Sequence, residues 1–175
     1  MQPTDSSKIM IVSLGSIMGS SLVDTLLDFF NKWNELKKLT HTHIKIIGIK
    51  ERDIVFVKMG QNIGYEQDGK GSEFLRPVVI YKKFNKNMFL GIPLTTKKKE
   101  NRYHFEFSYE NRSKKKISNS AILSQVKMFD TKRVKYKSGV ICKDDFVKLY
   151  EKFVEVTMPE VVTPLKRGKS PEGIQ

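Results

Sequence analysis

Three short blocks of sequence set reaction-capable side chains at the ends of apolar runs. Gly64-Tyr65-Glu66-Gln67 puts an acid beside an amide, Arg76-Pro77-Val78-Val79-Ile80 opens a run on a guanidinium, and Ile92-Pro93-Leu94-Thr95-Thr96 closes one on two hydroxyls. The apolar runs read as short β-strands. An acid, an amide, a fixed cation and two hydroxyls arriving from strand ends and loops suit a site better than a core. The chain holds 32 Lys and Arg against 19 Asp and Glu, a net charge of +13 at pH 7. The natural substrate of such a site is therefore a polyanion.

The basic charge is concentrated. Between Lys97 and Lys116 there are eight Lys or Arg against three Glu, including the triplets Lys97-Lys98-Lys99 and Lys114-Lys115-Lys116. A second group, Lys127, Lys132, Arg133, Lys135 and Lys137, is opposed only by Asp130. Tyr103, Phe105, Phe129 and Tyr136 are interleaved with these cations and could stack on bases wherever they are exposed. The bland alternative is solvated lysines on loops and aromatics in the core. Residues 64–72 are rich in glycine but are no phosphate-binding Walker loop: the Gly-Lys-Ser/Thr ending is missing and a strand follows. They suit a long loop over a cleft.

Composition excludes several classes. Cys142 is the single cysteine and is expected to be an inert, small apolar residue near the last helix. No disulfide or cysteine metal site can form within one chain, which fits a reducing compartment. His41 and His43 share a loop and His104 falls in a strand, too scattered for a metal cluster, so no metal or other cofactor is expected. The apolar run from Ile9 to Met18 has the length of a signal peptide, but it lacks a strongly basic flank and is far short of a membrane span.

The elements that must position these residues follow from periodicity. Residues 1–20 read as a flexible lead and 21–49 as a helical extension, whose Leu22, Leu26, Phe29, Phe30, Trp33 and Leu36 recur at helical spacing over Ser21 to Leu39. Trp33 is expected to be a packing anchor. Strands are expected over Asp53–Lys58, Arg76–Phe84, Met88–Leu94, Tyr103–Ser108 and Ser120–Phe129, with Tyr103, Phe105 and Phe107 on one face of the fourth. Short, closely spaced strands with glycine-bearing loops predict a small antiparallel barrel, a mainly β (α+β) fold. Asp144 and Asp145 open a last helix carrying Phe146, Leu149, Tyr150, Phe153 and Val154 as one stripe across an end or face of the barrel. Residues 157–175, with prolines, glycines and mixed charges, read as a disordered tail.

Taken together, Asn62-Ile63-Gly64-Tyr65-Glu66-Gln67, Arg76 to Ile80, Gly91 to Thr96, and Ala121-Ile122-Leu123-Ser124-Gln125 with Lys127 and Lys132-Arg133 closely resemble the PemK/MazF family of bacterial toxins. The resemblance spans residues 50–156. It implies an SH3-like antiparallel barrel of the MazF/CcdB type, and Trp33-Asn34 in a basic helix ahead of it resembles the leader of a long subgroup. It further implies a homodimeric, cytoplasmic, metal-independent and sequence-specific endoribonuclease acting on single-stranded messenger RNA. In such toxins the 2′-hydroxyl attacks the adjacent phosphorus, leaving a 2′,3′-cyclic phosphate. The implied partner is an antitoxin with an acidic or amphipathic segment, and the complex of the two could bind operator DNA.

The residue roles follow from that chemistry. The phosphorane gathers negative charge, which an always-protonated, bidentate guanidinium suits best, so Arg76 takes that part. Thr95 hydrogen-bonds a phosphate oxygen or the attacking hydroxyl, and Thr96 stands beside it. Glu66 is the catalytic carboxylate if one is used. Gln67, Gln125, Lys97, Lys98 and Lys127 are expected to bind the RNA. Two features depart from the family pattern: the loop between Gln67 and Arg76 is long, and Ser124 stands where many relatives carry an acid. The rival reading is a non-catalytic barrel that binds nucleic acid or protein, such as a topoisomerase poison of the same fold.

Overall fold

The computed structural model describes residues 20–44 and 47–158. The expected lead at 1–20 lies outside them except for Ser20, and the expected tail at 157–175 lies outside them after Met158. Helix α1 runs from Ser20 to Thr42. Seven strands follow: β1 (Asp53–Lys58), β2 (Leu75–Lys83), β3 (Met88–Thr95), β4 (His104–Glu110), β5 (Lys116–Ile122), β6 (Lys127–Asp130) and β7 (Val134–Val140). Helix α2, Lys143–Thr157, closes the described chain. The mainly β, antiparallel architecture with a helix at each end is the one the sequence predicts.

The sheet runs β4-β5-β3-β2-β1-β7, every pairing antiparallel, with β6 folded onto β3. It curls until its ends meet: an isolated antiparallel bridge joins Asn111, just after β4, to Gly139 of β7. That seam needs a glycine. A Cβ on residue 139 would lie 2.5 Å from Tyr109 Cδ2 and 2.6 Å from the Glu110 carbonyl oxygen. Closure leaves few free strand edges.

The central strands are buried on both faces, which explains their unbroken apolar runs. Ile54, Val79, Ile92 and Leu94 face a core shared with Phe107, Tyr109 and Leu149 of α2. Val55, Val57, Val78 and Ile80 face a second core completed by Phe89, Phe129 and Val134. Two fully buried β-branched layers back to back hold β1–β3 rigid, and those are the strands that carry Arg76 and Thr95.

Five expectations need correction. Ser120–Phe129 is not one strand: a 3-10 turn at Leu123–Gln125 divides it into β5 and β6, which pair with different parts of β3. The basic stretch 134–140 is a strand, in which Val134, Tyr136, Lys137, Gly139 and Val140 pair with β1 across two register shifts. Tyr103 precedes β4 and is largely exposed, so Phe105, Phe107 and Tyr109 form the inward face. Cys142 is exposed and caps α2, its Sγ accepting from the Asp145 amide at 3.3 Å. Asp144 and Asp145 sit in the first turn, where a carboxylate suits the helix dipole. Helix α1 also outruns its expected end at Leu39, with Thr40 folding its hydroxyl back onto the Leu36 carbonyl.

Helix α1 is anchored by Trp33, with Lys58 donating to Thr40 Oγ1 and Lys132 to the His41 carbonyl nearer its C-terminal end. Trp33 is 6% exposed and packs against Phe74 at 5.7 Å between ring centroids, while Arg133 lies 5.4 Å over the indole. Gly60, at φ +100°, passes beneath the ring so closely that a Cβ would collide with Cε2. Trp33 is the packing anchor the helical spacing predicts.

Candidate functional site

Strand register explains why Arg76 and Thr95 meet. Val78 pairs with Pro93 between β2 and β3, so the same register carried two residues further sets Arg76 across from Thr95. Directly paired residues share a face. Both side chains enter one cleft of about 330 Å³, with Gln67, Lys97 and Gln125. Five of the residues expected from sequence are therefore together.

Arg76 is the most constrained of them. It is 7% exposed, its Nε donates to the Asp68 carbonyl and its Nη1 to the Leu94 carbonyl at 3.4 Å. Burial lowers its pKa and the Asp68 carboxylate opposes that shift; a guanidinium keeps its proton in either case. Among the described residues Nη2 makes no hydrogen bond, so the fork retains a donor for a ligand. Thr95 Oγ1 accepts from the Lys97 amide at 3.2 Å. Its own hydroxyl proton is then available to an incoming oxygen.

Gln125 fastens the loop that forms one wall. Its Oε1 accepts from the Gln67 amide at 3.1 Å and its Nε2 donates to the Tyr65 carbonyl at 3.2 Å. The 3-10 turn after β5 aims this side chain across the mouth. Asp68 braces the same loop from inside, its carboxylate accepting from the Asn62 amide at 2.6 Å and from Gln61 Nε2 at 3.2 Å.

The structure separates the other expected residues. Glu66 turns away to pair with Lys127 at 3.0 Å, and both line a neighbouring hollow of about 580 Å³ between the barrel and α1, with Trp33 and Arg133. Lys127 also donates to Asn62 Oδ1 at 3.3 Å. Thr96 faces a third hollow, beside Phe56 and Tyr136, because consecutive residues at a strand end point to opposite sides. Lys98 is exposed and pairs with Glu106 at 3.3 Å. Among the described residues, no group of three or more His, Cys, Asp or Glu is arranged to hold a metal ion.

Sequence reasoning missed part of the wall. Tyr65, Lys70, Lys99, His104, Ile122 and Ser124 also line the cleft. His104 is the chemically notable one. Its Nδ1 lies 2.7 Å from Asn101 Oδ1, and burial, followed by the nearby Lys99 charge, lowers its pKa below the ordinary 6.5. The signal was a lone histidine at the start of an alternating strand, directly after a basic loop, which spacing alone cannot place. With a buried guanidinium, a free hydroxyl proton and several lysines, the cleft can hold a phosphodiester and stabilise added negative charge on it.

A model of the PemK-like, MazF-like toxins of type II toxin–antitoxin systems matches residues 50–157. No curated protein matches the chain in sequence. Among solved structures, the Mycobacterium tuberculosis toxin MazF-mt6 is 12% identical, with 59% of this chain and 94% of that one aligned at a TM-score of 0.45. MazF (Form-I) from Deinococcus radiodurans is also 12% identical, with 65% of this chain and 97% of that one aligned at a TM-score of 0.48. The matched span takes in the whole barrel and α2, while α1 lies ahead of it.

Proposed function

The chain belongs to the PemK-like, MazF-like toxins of type II toxin–antitoxin systems, and from that premise we propose that it is a sequence-specific endoribonuclease cutting single-stranded messenger RNA without a metal. The observation that carries the reading is Arg76 set across from Thr95 in a cleft edged by Lys97 and Lys99. The scissile phosphate lies between guanidinium and hydroxyl. Arg76 and Thr95 hold its non-bridging oxygens while the 2′-oxygen attacks phosphorus and the 5′-oxygen departs, giving a 2′,3′-cyclic phosphate and a 5′-hydroxyl. Charge accumulates on the phosphorane oxygens, and two fixed carbonyl bonds keep the guanidinium aimed at them before the reaction starts.

The remaining parts of the proposal follow from the same surface. An antitoxin segment that is acidic or amphipathic matches the lysine-lined mouth and would occupy it in competition with RNA. Homodimerisation, a cytoplasmic location and operator binding by the toxin–antitoxin complex belong to the proposal through the family. No helix among the described residues is long and apolar enough to cross a membrane.

The test is induction of wild type, Arg76→Ala and Thr95→Ala in bacteria, with purified protein incubated with RNA in EDTA. Wild type is expected to arrest growth and leave cyclic-phosphate ends. Arg76→Ala is expected to lose about 10²–10³ in cleavage rate, the usual cost of removing one oxyanion donor. A wild type that neither arrests growth nor cuts RNA in EDTA sinks the reading. RNA binding that survives without any cleavage in the wild type returns the chain to a binding barrel.

A further inference from the structure

We propose that His104 is the general base of this cleft, its Nε2 taking the proton of the attacking 2′-hydroxyl. The inference rests on the ribonuclease reading and adds to it the residue that moves the proton.

Register places the ring. Thr95 pairs with Ser120 and Ser120 with Glu106, while Ile122 pairs with His104. Paired residues and every second residue along a strand share a face. Thr95, Ile122 and His104 therefore present their side chains to one side of the β3-β5-β4 corner, and all three line the cleft.

Hydrogen bonding fixes the tautomer. Asn101 Oδ1 accepts from the Tyr103 amide at 3.0 Å, which identifies the atom as oxygen. The same oxygen lies 2.7 Å from His104 Nδ1. An oxygen of this kind cannot donate, so the neutral ring carries its hydrogen on Nδ1 and leaves the Nε2 lone pair unprotonated.

No carboxylate competes with it from the cleft wall. Glu66 is paired with Lys127 in the next hollow, Glu106 is paired with Lys98, and Ser124 supplies only a hydroxyl. The other titratable groups on the wall are Tyr65 and the cations Lys70, Arg76, Lys97 and Lys99. Burial, and then the nearby Lys99 charge, hold the imidazole pKa below its ordinary value, so the ring is neutral near pH 7. A base that is already free at working pH is the useful form.

The step balances without a further reagent. The 2′-O–H bond gives its electron pair to the new O–P bond, the proton passes to Nε2, and the P–O5′ bond breaks. The leaving 5′-oxygen takes a proton from water, and the imidazolium returns its own to solvent.

Single-turnover cleavage of RNA across pH 4.5–8.5, roughly spanning the ordinary histidine range, tests this with wild type, Arg76→Ala, His104→Gln and His104→Ala. Wild-type rate is expected to rise with pH through a midpoint below 6.5 and then level off. His104→Gln should be slower by about 10²–10⁴ and lose that acidic limb, while binding 2′-O-methyl RNA as wild type does. Added imidazole should restore part of the activity of His104→Ala. A His104→Gln protein that keeps the acidic limb, or cuts within about threefold of wild type, overturns the assignment while Arg76→Ala still tests the nuclease reading separately. A wild type that cuts nothing overturns both.

Discussion

In the proposed reaction Arg76 would meet the substrate with only a small part of its side chain. Two of its donor nitrogens are committed to the Asp68 and Leu94 carbonyls, so the loop and the end of β3 together set the plane of the fork. A lysine at that position keeps the charge and loses the plane. Its three donors radiate from one atom, and burial would depress its pKa as it depresses that of the guanidinium. Arg76→Lys is therefore expected to retain RNA binding while cleaving about 10²-fold more slowly, as measured by single-turnover rates at saturating enzyme. Recovery of near wild-type rate in Arg76→Lys would show that charge alone is required. Arg76 and Thr95 could be singled out from sequence because each stands at an end of an apolar run, and Gln125 because it closes a family-like motif. Glu66 could not be placed: its direction depends on Lys127, sixty-one residues away, and only the folded loop decides which of two hollows receives it. His104 was invisible for the converse reason, since its partner Asn101 sits in a loop whose shape no periodicity encodes.

At the scale of elements, both helices dock through aromatic residues, and each docking makes a prediction. In β2 the pairing with β3 slips between Ile80 and Lys82, leaving Tyr81 at an irregularity where it meets α2. Its ring stacks on Tyr150 at 5.8 Å and lies 4.9 Å from Phe153. Burial, and then the neighbouring Tyr150 hydroxyl, push the Tyr81 pKa from 10.0 up to about 12. The raised value favours the protonated folded form. Its contribution is complete below pH 10 and is lost as pH rises from 10 towards about 12. Thermal melts over that range should show wild type losing stability faster than Tyr81→Phe; parallel losses would remove Tyr81 from the account. On the other side of the barrel, Trp33→Ala is expected to cost about 3–5 kcal/mol of helix docking. Amide hydrogen exchange should then accelerate across α1 with little change in β1–β3. Gly60→Ala should act in the same direction, since it introduces both a left-handed alanine and a collision with the indole. The sequence predicted both helices because an apolar stripe at helical spacing survives any tertiary context. It did not single out β7, whose lysines resemble a binding patch, nor the break at Leu123–Gln125, where an apolar run conceals a turn.

Across the whole molecule, positive charge outweighs negative by thirteen, yet much of it is locally spent. Lys127, Lys135 and Lys137 are paired with Glu66, Glu73 and Asp53, whereas Lys97 and Lys99 stand on the cleft wall without a carboxylate among the ion pairs. Affinity for single-stranded RNA should fall steeply with salt, and Lys97→Ala/Lys99→Ala should flatten the log–log slope by about 1.4, roughly 0.7 per phosphate contact removed. An unchanged slope would take the RNA path elsewhere. The same view of the molecule puts α1 in an unusual position, since the family match begins at residue 50 while Trp33 sits in a seat built by Gly60, Phe74 and Arg133. All three lie inside the matched span, so the barrel itself supplies the seat into which the preceding helix docks. Without α1 every residue lining the cleft would still be in place, but Phe74, now 4% exposed, would be bared to water.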